Sequence, residues 1–164
     1  PTRRSSDLWD LARKTEITFN SNLMITEFFI YNRVKKEDSP EYEWRLATGM
    51  TNTLEGEKIV ETLYKTYTFN SQLMTNELTR QAKTTNTFNA EGWLTEEVNQ
   101  YWESTDSLWK MNIKTTYTYS TSGQMASETF YQNYSTETSS WTPARRTDYF
   151  YNPDESEAGR TGYE

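Results

Sequence analysis

The sequence predicts an all-β protein, an antiparallel meander of repeated β-hairpins forming a single twisted or curled sheet. Three observations carry this. Aromatic residues make up 15% of the 164 residues and Thr occurs 27 times, a composition suited to pleated, half-buried surfaces. Apolar and polar residues alternate with period two, the strand period, where a helix would need 3.6. One phrase also recurs at fixed internal spacing, and repeats decide architecture before any other signal.

The complete phrase runs from Trp9 through Lys14 and Thr15 to Ile17 and Phe19, from Trp109 through Lys114 and Thr115 to Tyr117 and Tyr119, and from Trp141 through Arg146 and Thr147 to Tyr149 and Tyr151. In each copy the Trp stands ten positions before the last aromatic, with a basic residue five and a Thr four positions before it. Copies without Trp surround Phe69 and Phe88, so Phe19, Phe69, Phe88, Tyr119 and Tyr151 are read as the anchors of five units. After four anchors a short turn leads into a second strand phrase, at Leu23-Met24, Leu73-Met74, Trp93-Leu94 and Gln124-Met125. Gly92 and Gly123 suit three-residue loops that end with positive φ. The turns after Asn20 and Asn70 lack Gly and are expected to close through two-residue loops. Across the turns Phe19 should face Met24, Phe69 Met74, Phe88 Leu94, and Tyr119 Met125, on an apolar face that also carries Trp109, Met111, Ile113 and Tyr117. Glu27 should pair with Lys14 and Glu128 with Lys114 on the wet face, as weak surface ion pairs.

Between units the chain turns polar. Lys35 to Glu41 reads as a charged turn, Ala47 to Glu57 as the longest irregular insertion, and 103–107 and 135–140 as outer hairpin turns. Residues 1–152 are expected to form one repeat domain of about nine strands and 153–164 a flexible polar tail, the array ending at Tyr151 rather than returning as a poor edge strand.

The phrase Tyr117-Thr-Tyr119-Ser-Thr-Ser-Gly123-Gln-Met125 resembles the tyrosine-rich YD or Rhs-type repeat, as does 86–94. Over residues 9–151 the Trp-preceded YxY phrase more closely resembles secreted Trp- and Tyr-rich repeat proteins of Bacteroidetes, largely of unknown function. The usual Asp after the second aromatic is Asn or Ser here. The resemblance implies export to the periplasm, cell surface or medium. The chain starts at Pro1 rather than Met, for which a cleaved signal peptide and a truncation are both explanations.

Composition excludes more chemistry than it suggests. With no His and no Cys, imidazole bases, Ser-His-Asp relays, thiolate nucleophiles, disulfides and most transition-metal sites are absent. A net charge of -7 disfavours nucleic acid and anionic membrane as partners. No apolar run reaches the roughly 20 residues of a membrane span. No cofactor and no metal are expected; Glu103 with Asp106, and Asp154 with Glu155, lack the spacing of a calcium loop. The carboxylate pairs Glu41 with Glu43 and Glu96 with Glu97 make a glycosidase the weakest reading, since adjacent strand residues such as the latter pair point to opposite faces.

The expected function is that of an exported, non-catalytic repeat module with a structural or protein-interaction role at the cell envelope. One alternative is glycan binding through exposed Trp and Tyr, with Trp44, Trp93 and Trp102 as the candidates because they stand outside the Trp-x9-aromatic phrase. Another is a periplasmic lipid or lipoprotein carrier whose apolar side gathers Met24, Met74, Leu94, Met125, Phe28 and Tyr119. The partner would be an envelope protein or a glycan, and the sequence leaves the oligomeric state open.

Overall fold

The computed structural model describes residues 13–36, 39–154 and 156–163. It is all-β, as expected, with strands β1 (Arg13–Phe19), β2 (Ile25–Lys35), β3 (Tyr42–Glu55), β4 (Lys58–Asn70), β5 (Thr75–Phe88), β6 (Leu94–Glu103), β7 (Leu108–Tyr119), β8 (Met125–Ser135), β9 (Ser140–Tyr151) and β10 (Glu157–Tyr163). Strand order in the sheet follows chain order from β1 to β10, an antiparallel meander. The chain divides into two compact units, 1–83 and 84–164, with the boundary inside β5. Each is described separately.

Both units use one hairpin. In the first, Phe19 faces Ile25 and Thr18 faces Glu27, leaving Thr26 as an extra residue in a bulge. In the second, Tyr119 faces Met125 and Thr118 faces Ser127, and Tyr151 faces Glu157 while Phe150 faces Gly159. The turn bonds coincide as well: the N–H of Asn20 donates to Met24 O, that of Asn89 to Trp93 O, Ser120 to Gln124 O and Asn152 to Ser156 O.

These registers correct several expectations. The Asn20 turn is not shorter than the Gly-containing ones: Leu23, at φ 61°, occupies the slot that Gly92 and Gly123 occupy at φ 91° and 86°. Phe19 therefore faces Ile25, not Met24, because the first turn takes the three-residue form without its glycine. Residues 157–163, expected to lie beyond the array, form β10, the second strand of the last repeat, since its backbone can pair with β9 whatever its side chains are. The supposed insertion 47–57 is mostly strand β3, closed by a tight turn at Gly56. Among the described residues the strands accordingly number ten.

Strand β3 also reveals a copy of the repeat. Trp44 stands ten residues before Leu54, and Leu54 faces Ile59 as Phe19 faces Ile25. The second anchor is thus Leu54; Phe69 lies on β4, whose turn to β5 is at the opposite end of the strands. In the same strands a second bulge follows the Trp by three residues, at Ala47, Asn112 and Ala144. A one-residue bulge reverses which face the following residues occupy. Trp109 and Met111 consequently share the face of Lys114, while Ile113, Thr115 and Tyr117 lie on the other, and the single apolar face expected along β7 is broken at Asn112.

Among the described residues no hydrophobic side chain is buried; Gly49 apart, the buried residues are the polar Thr62 and Ser127. Each has a polar partner opposite it: Thr62 donates to Asn52 Oδ1 at 2.8 Å, and Ser127 Oγ lies 2.8 Å from Thr118 Oγ1. Tyr119 does face Met125 as expected, but both are half-buried. Trp9 lies outside the described residues.

Candidate functional site

Side chains on the sheet meet at three recurring slots, the first two between successive repeats and the third within one. The first is the carbonyl of the first strand residue after the hairpin turn. Ile25 O accepts from Asn52 Nδ2 at 2.9 Å, Leu94 O from Tyr119 Oη at 2.7 Å, and Met125 O from Tyr151 Oη at 2.9 Å. The second is an ion pair between a Glu two residues further on and the Lys of the following repeat: Glu61 with Lys83 at 3.7 Å, Glu96 with Lys114 at 3.5 Å. The third stacks a Lys on the Tyr facing it, Lys14 on Tyr31 at 4.9 Å and Lys114 on Tyr131 at 4.8 Å.

The expected pairs Glu27–Lys14 and Glu128–Lys114 are not made. Lys14 pairs with Glu16 at 2.5 Å, and Glu27 accepts from Thr18 Oγ1. The bulge after the turn moves Glu128 to the other face, opposite Tyr117 and within reach of Tyr149. Burial, then the carboxylates of Glu97 and Glu128, hold the Tyr117 phenol above its ordinary pKa. Burial, then Glu128, does the same at Tyr149.

The three tryptophans differ in what they offer. Trp93 leans on the Tyr119 ring at 5.3 Å, and its own ring covers Gly123 so closely that a Cβ there would stand 2.8 Å from Cζ2. Trp102 faces Trp109 across the β6–β7 hairpin, the rings edge to face at 5.5 Å. Trp44 is the open one, 44% exposed. Tyr42, two residues earlier on the same face, is 53% exposed. Opposite them on β2 stand Arg33 and Lys35, and the Arg33 guanidinium lies 4.0 Å from the Tyr42 ring centre. Two open rings beside two cations make an accessible aromatic platform. Tyr42 was missed in the sequence because it precedes the repeat phrase, and the Trp44–Leu54 spacing would have shown that Trp44 belongs to that phrase.

The carboxylates of the acidic pairs are engaged by neighbouring side chains. Glu41 pairs with Lys36 at 2.8 Å, Glu43 with Arg45 at 2.5 Å, Asp106 with Lys110 at 2.6 Å, and Glu97 accepts from Asn99. Glu96 and Glu97 face Thr116 and Thr115 on opposite sides of the sheet. Among the described residues no three acidic side chains gather at a metal-binding distance; Glu155 lies outside them. Nor is any helix long and apolar enough to cross a membrane. Of the residues expected to form an acyl-binding side, Met24 and Met74 sit in turns at opposite ends of the strands.

No family model matches the chain, and no curated protein is significantly similar to it. Solved structures are. A protein of unknown function from Bacteroides fragilis superposes with a TM-score of 0.52 at 15% identity, over 82% of this chain and 89% of that one. That likeness shows a shared fold. A DUF3836 family protein from Bacteroides vulgatus gives a TM-score of 0.45 at 15% identity, covering 71% of this chain and 98% of that one. Another from Parabacteroides distasonis gives 0.40 at 15%, covering 57% and 79%. The Bacteroides fragilis protein is in keeping with the expected likeness to Bacteroidetes proteins of unknown function.

Proposed function

We propose that the chain is an exported, non-catalytic repeat module that presents an interaction surface for protein at the cell envelope. One observation carries this reading: the large apolar side chains are left open. No hydrophobic side chain is buried among the described residues, while Leu73 and Met74 are 64% and 67% exposed, with Tyr42 and Trp44 also open. Exposed apolar surface of this extent marks contact with other molecules. The slots between repeats support the non-catalytic part, because they occupy Glu61, Glu96 and Lys114 in repeat-to-repeat contacts. Export rests on the sequence resemblance.

The test is site-specific photocrosslinking in the source cell followed by fractionation. A photoreactive residue at Tyr42 or Leu73 is expected to form discrete adducts in the envelope or secreted fraction, and one at buried Ser127 none. Recovery of the protein in the cytosol overturns export, and adducts from all three positions alike overturn the surface.

A second reading, glycan binding, is favoured by the Tyr42–Trp44 platform with Arg33 and Lys35 beside it. Retention of the chain by a polysaccharide in affinity electrophoresis, abolished by Trp44→Ala, would establish it; no retention by any polysaccharide tried would remove it.

A further inference from the structure

The bulge at Ala144 builds a feature that occurs at no other described bulge of its kind. Each of the three bulges aligns a β-strand residue with the residue following the bulge: Ile30 faces Thr48, Asn99 faces Ile113, and Phe130 faces Arg145. The last pair alone joins an aromatic ring to a cation. An open depression of about 480 Å³ lies there, lined by Phe130 and Gln132 from β8 and by Ala144 and Arg145 from β9. Its size falls in the range of small-ligand sites, roughly 300–1,000 Å³. Ala144 contributes only a methyl group to the floor.

The charge here is uncommitted. Arg146 is bound to Asp148 at 2.8 Å, and Arg45 and Lys114 to Glu43 and Glu96. Arg145 is exposed and makes no ion pair with the described residues. Glu128 stands one step along the same face, opposite Thr147, and is engaged with Tyr149.

We infer that the Phe130–Gln132–Arg145 depression is a binding site for an acidic saccharide, a hexuronate residue of a glycan. The guanidinium fork of Arg145 matches a carboxylate by two parallel hydrogen bonds. The Phe130 ring offers a flat apolar surface to the C–H face of a pyranose. Gln132 supplies both a donor and an acceptor for ring hydroxyls, which a purely apolar carboxylate would leave unused. Among the described residues the site is built once, unlike the repeated slots, and it is distinct from the Tyr42–Trp44 platform. It does not rest on the protein-interaction reading.

Isothermal titration of the full chain with galacturonate and glucuronate oligosaccharides tests it, with neutral galactose and glucose oligomers and benzoate as controls. The acidic oligosaccharides are expected to bind at least tenfold more tightly than the neutral ones and than benzoate. Arg145→Gln should erase that preference, Arg145→Lys should retain part of it, and Phe130→Leu should weaken binding of acidic sugars with the far-ultraviolet circular dichroism unchanged. Absence of binding, equal affinity for neutral sugars or benzoate, or a preference that survives Arg145→Gln overturns the assignment. Because the crosslinking positions Tyr42 and Leu73 are remote in sequence and neither lines the depression, failure here leaves the protein-interaction reading standing, and the reverse.

Discussion

The hairpin that opens the first unit and the one that joins β7 to β8 in the second have the same backbone and different residues at its most demanding position. In both, the residue before the turn donates to a carbonyl four residues on, and the residue three positions on donates back to it, at 3.1 Å from Leu23 and 3.0 Å from Gly123. Positive φ at that position costs an L-residue roughly 1–2 kcal/mol and glycine almost nothing. Leu23 adopts it at φ 61° nonetheless. What holds it is the residue at the start of the turn: Asn20 Oδ1 accepts from two backbone N–H groups, of Asn22 at 3.0 Å and of Met24 at 2.9 Å, whereas Ser120 Oγ accepts from one, that of Gln124 at 3.2 Å, and shares a further bond with Ser122 Oγ at 2.8 Å. The first turn is fixed by a side chain, the second by the glycine and by what lies over it. Register is thus a property of the hydrogen-bond frame, and the glycine is one of two ways to reach it.

The largest effect follows from what covers Gly123. A Cβ at that position would meet Trp93 Cζ2 at 2.8 Å, and Trp93 is itself held against Tyr119. Gly123→Ala should therefore destabilise by about 2–4 kcal/mol, combining left-handed strain with overpacking. Gly56 also has positive φ, 63°, but nothing stands within 4 Å of its Cβ position, so Gly56→Ala should cost only the strain, about 1–2 kcal/mol. Urea unfolding of the two variants measures the difference. Equal losses would show that Trp93 does not pack on the turn.

A smaller effect separates the units through their anchors. Tyr119 and Tyr151 reach the preceding repeat's carbonyl with a hydroxyl, while Leu54 cannot and Asn52 does so instead. Tyr119→Phe should cost about 0.5–1.5 kcal/mol, the net worth of one such bond. Its pH dependence carries a sign. Burial raises the pKa of Tyr119, and burial first raises Tyr117 and Tyr149 in the second unit and Tyr31 in the first. Since the fold favours the neutral phenol, this stabilisation is full below the unfolded value of about 10 and is lost as pH rises through the higher folded values. Unfolding free energy should fall on the alkaline side of pH 10, and less steeply in Tyr119→Phe. A slope unaffected by the substitution would place Tyr119 in solvent.

How far this was legible in the sequence follows from the same slots. The strand period, the Trp-to-anchor spacing of ten and the Gly-containing turns were readable because each is local. The second repeat was not, because Leu54 replaces the aromatic anchor and Gly49 stands where other copies have Lys14 or Lys114. Phe69 imitated an anchor through Tyr67-Thr-Phe69-Asn70, although it ends β4 at the far end of the strands. Bulges at Ala47, Asn112 and Ala144 are set by pairing across strands, so alternation read along one strand assigned Trp109 and Tyr117 to the same face. β10 has two glycines and four charged or hydroxyl residues, and its only local signal was Asn152, which repeats Asn20 and Asn89 at the start of the turn. Of the three tryptophans singled out for a binding surface, spacing alone could not tell that Trp93 is covered by Tyr119 and Trp102 by Trp109 while Trp44 stays open.

The smallest predicted effect has the opposite sign. Leu23 is 80% exposed, so its side chain gains almost nothing from packing while its backbone bears left-handed strain. Leu23→Gly removes a strain of roughly 1–2 kcal/mol and adds an unfolded-state entropy cost of roughly 0.5–1 kcal/mol, since glycine loses more freedom on folding. The turn should therefore be stabilised by about 0.5–1 kcal/mol, with the Phe19–Ile25 register unchanged. Thermal unfolding would record this as a modest rise in Tm. In an Asn20→Ala background, where the two side-chain bonds to the turn are gone, the same substitution should stabilise more, because glycine then supplies the only remaining means of holding the register. A gain that is identical in both backgrounds would mean that Asn20 and residue 23 act independently, and that the first turn does not depend on its side chain in the way the comparison with Gly123 requires.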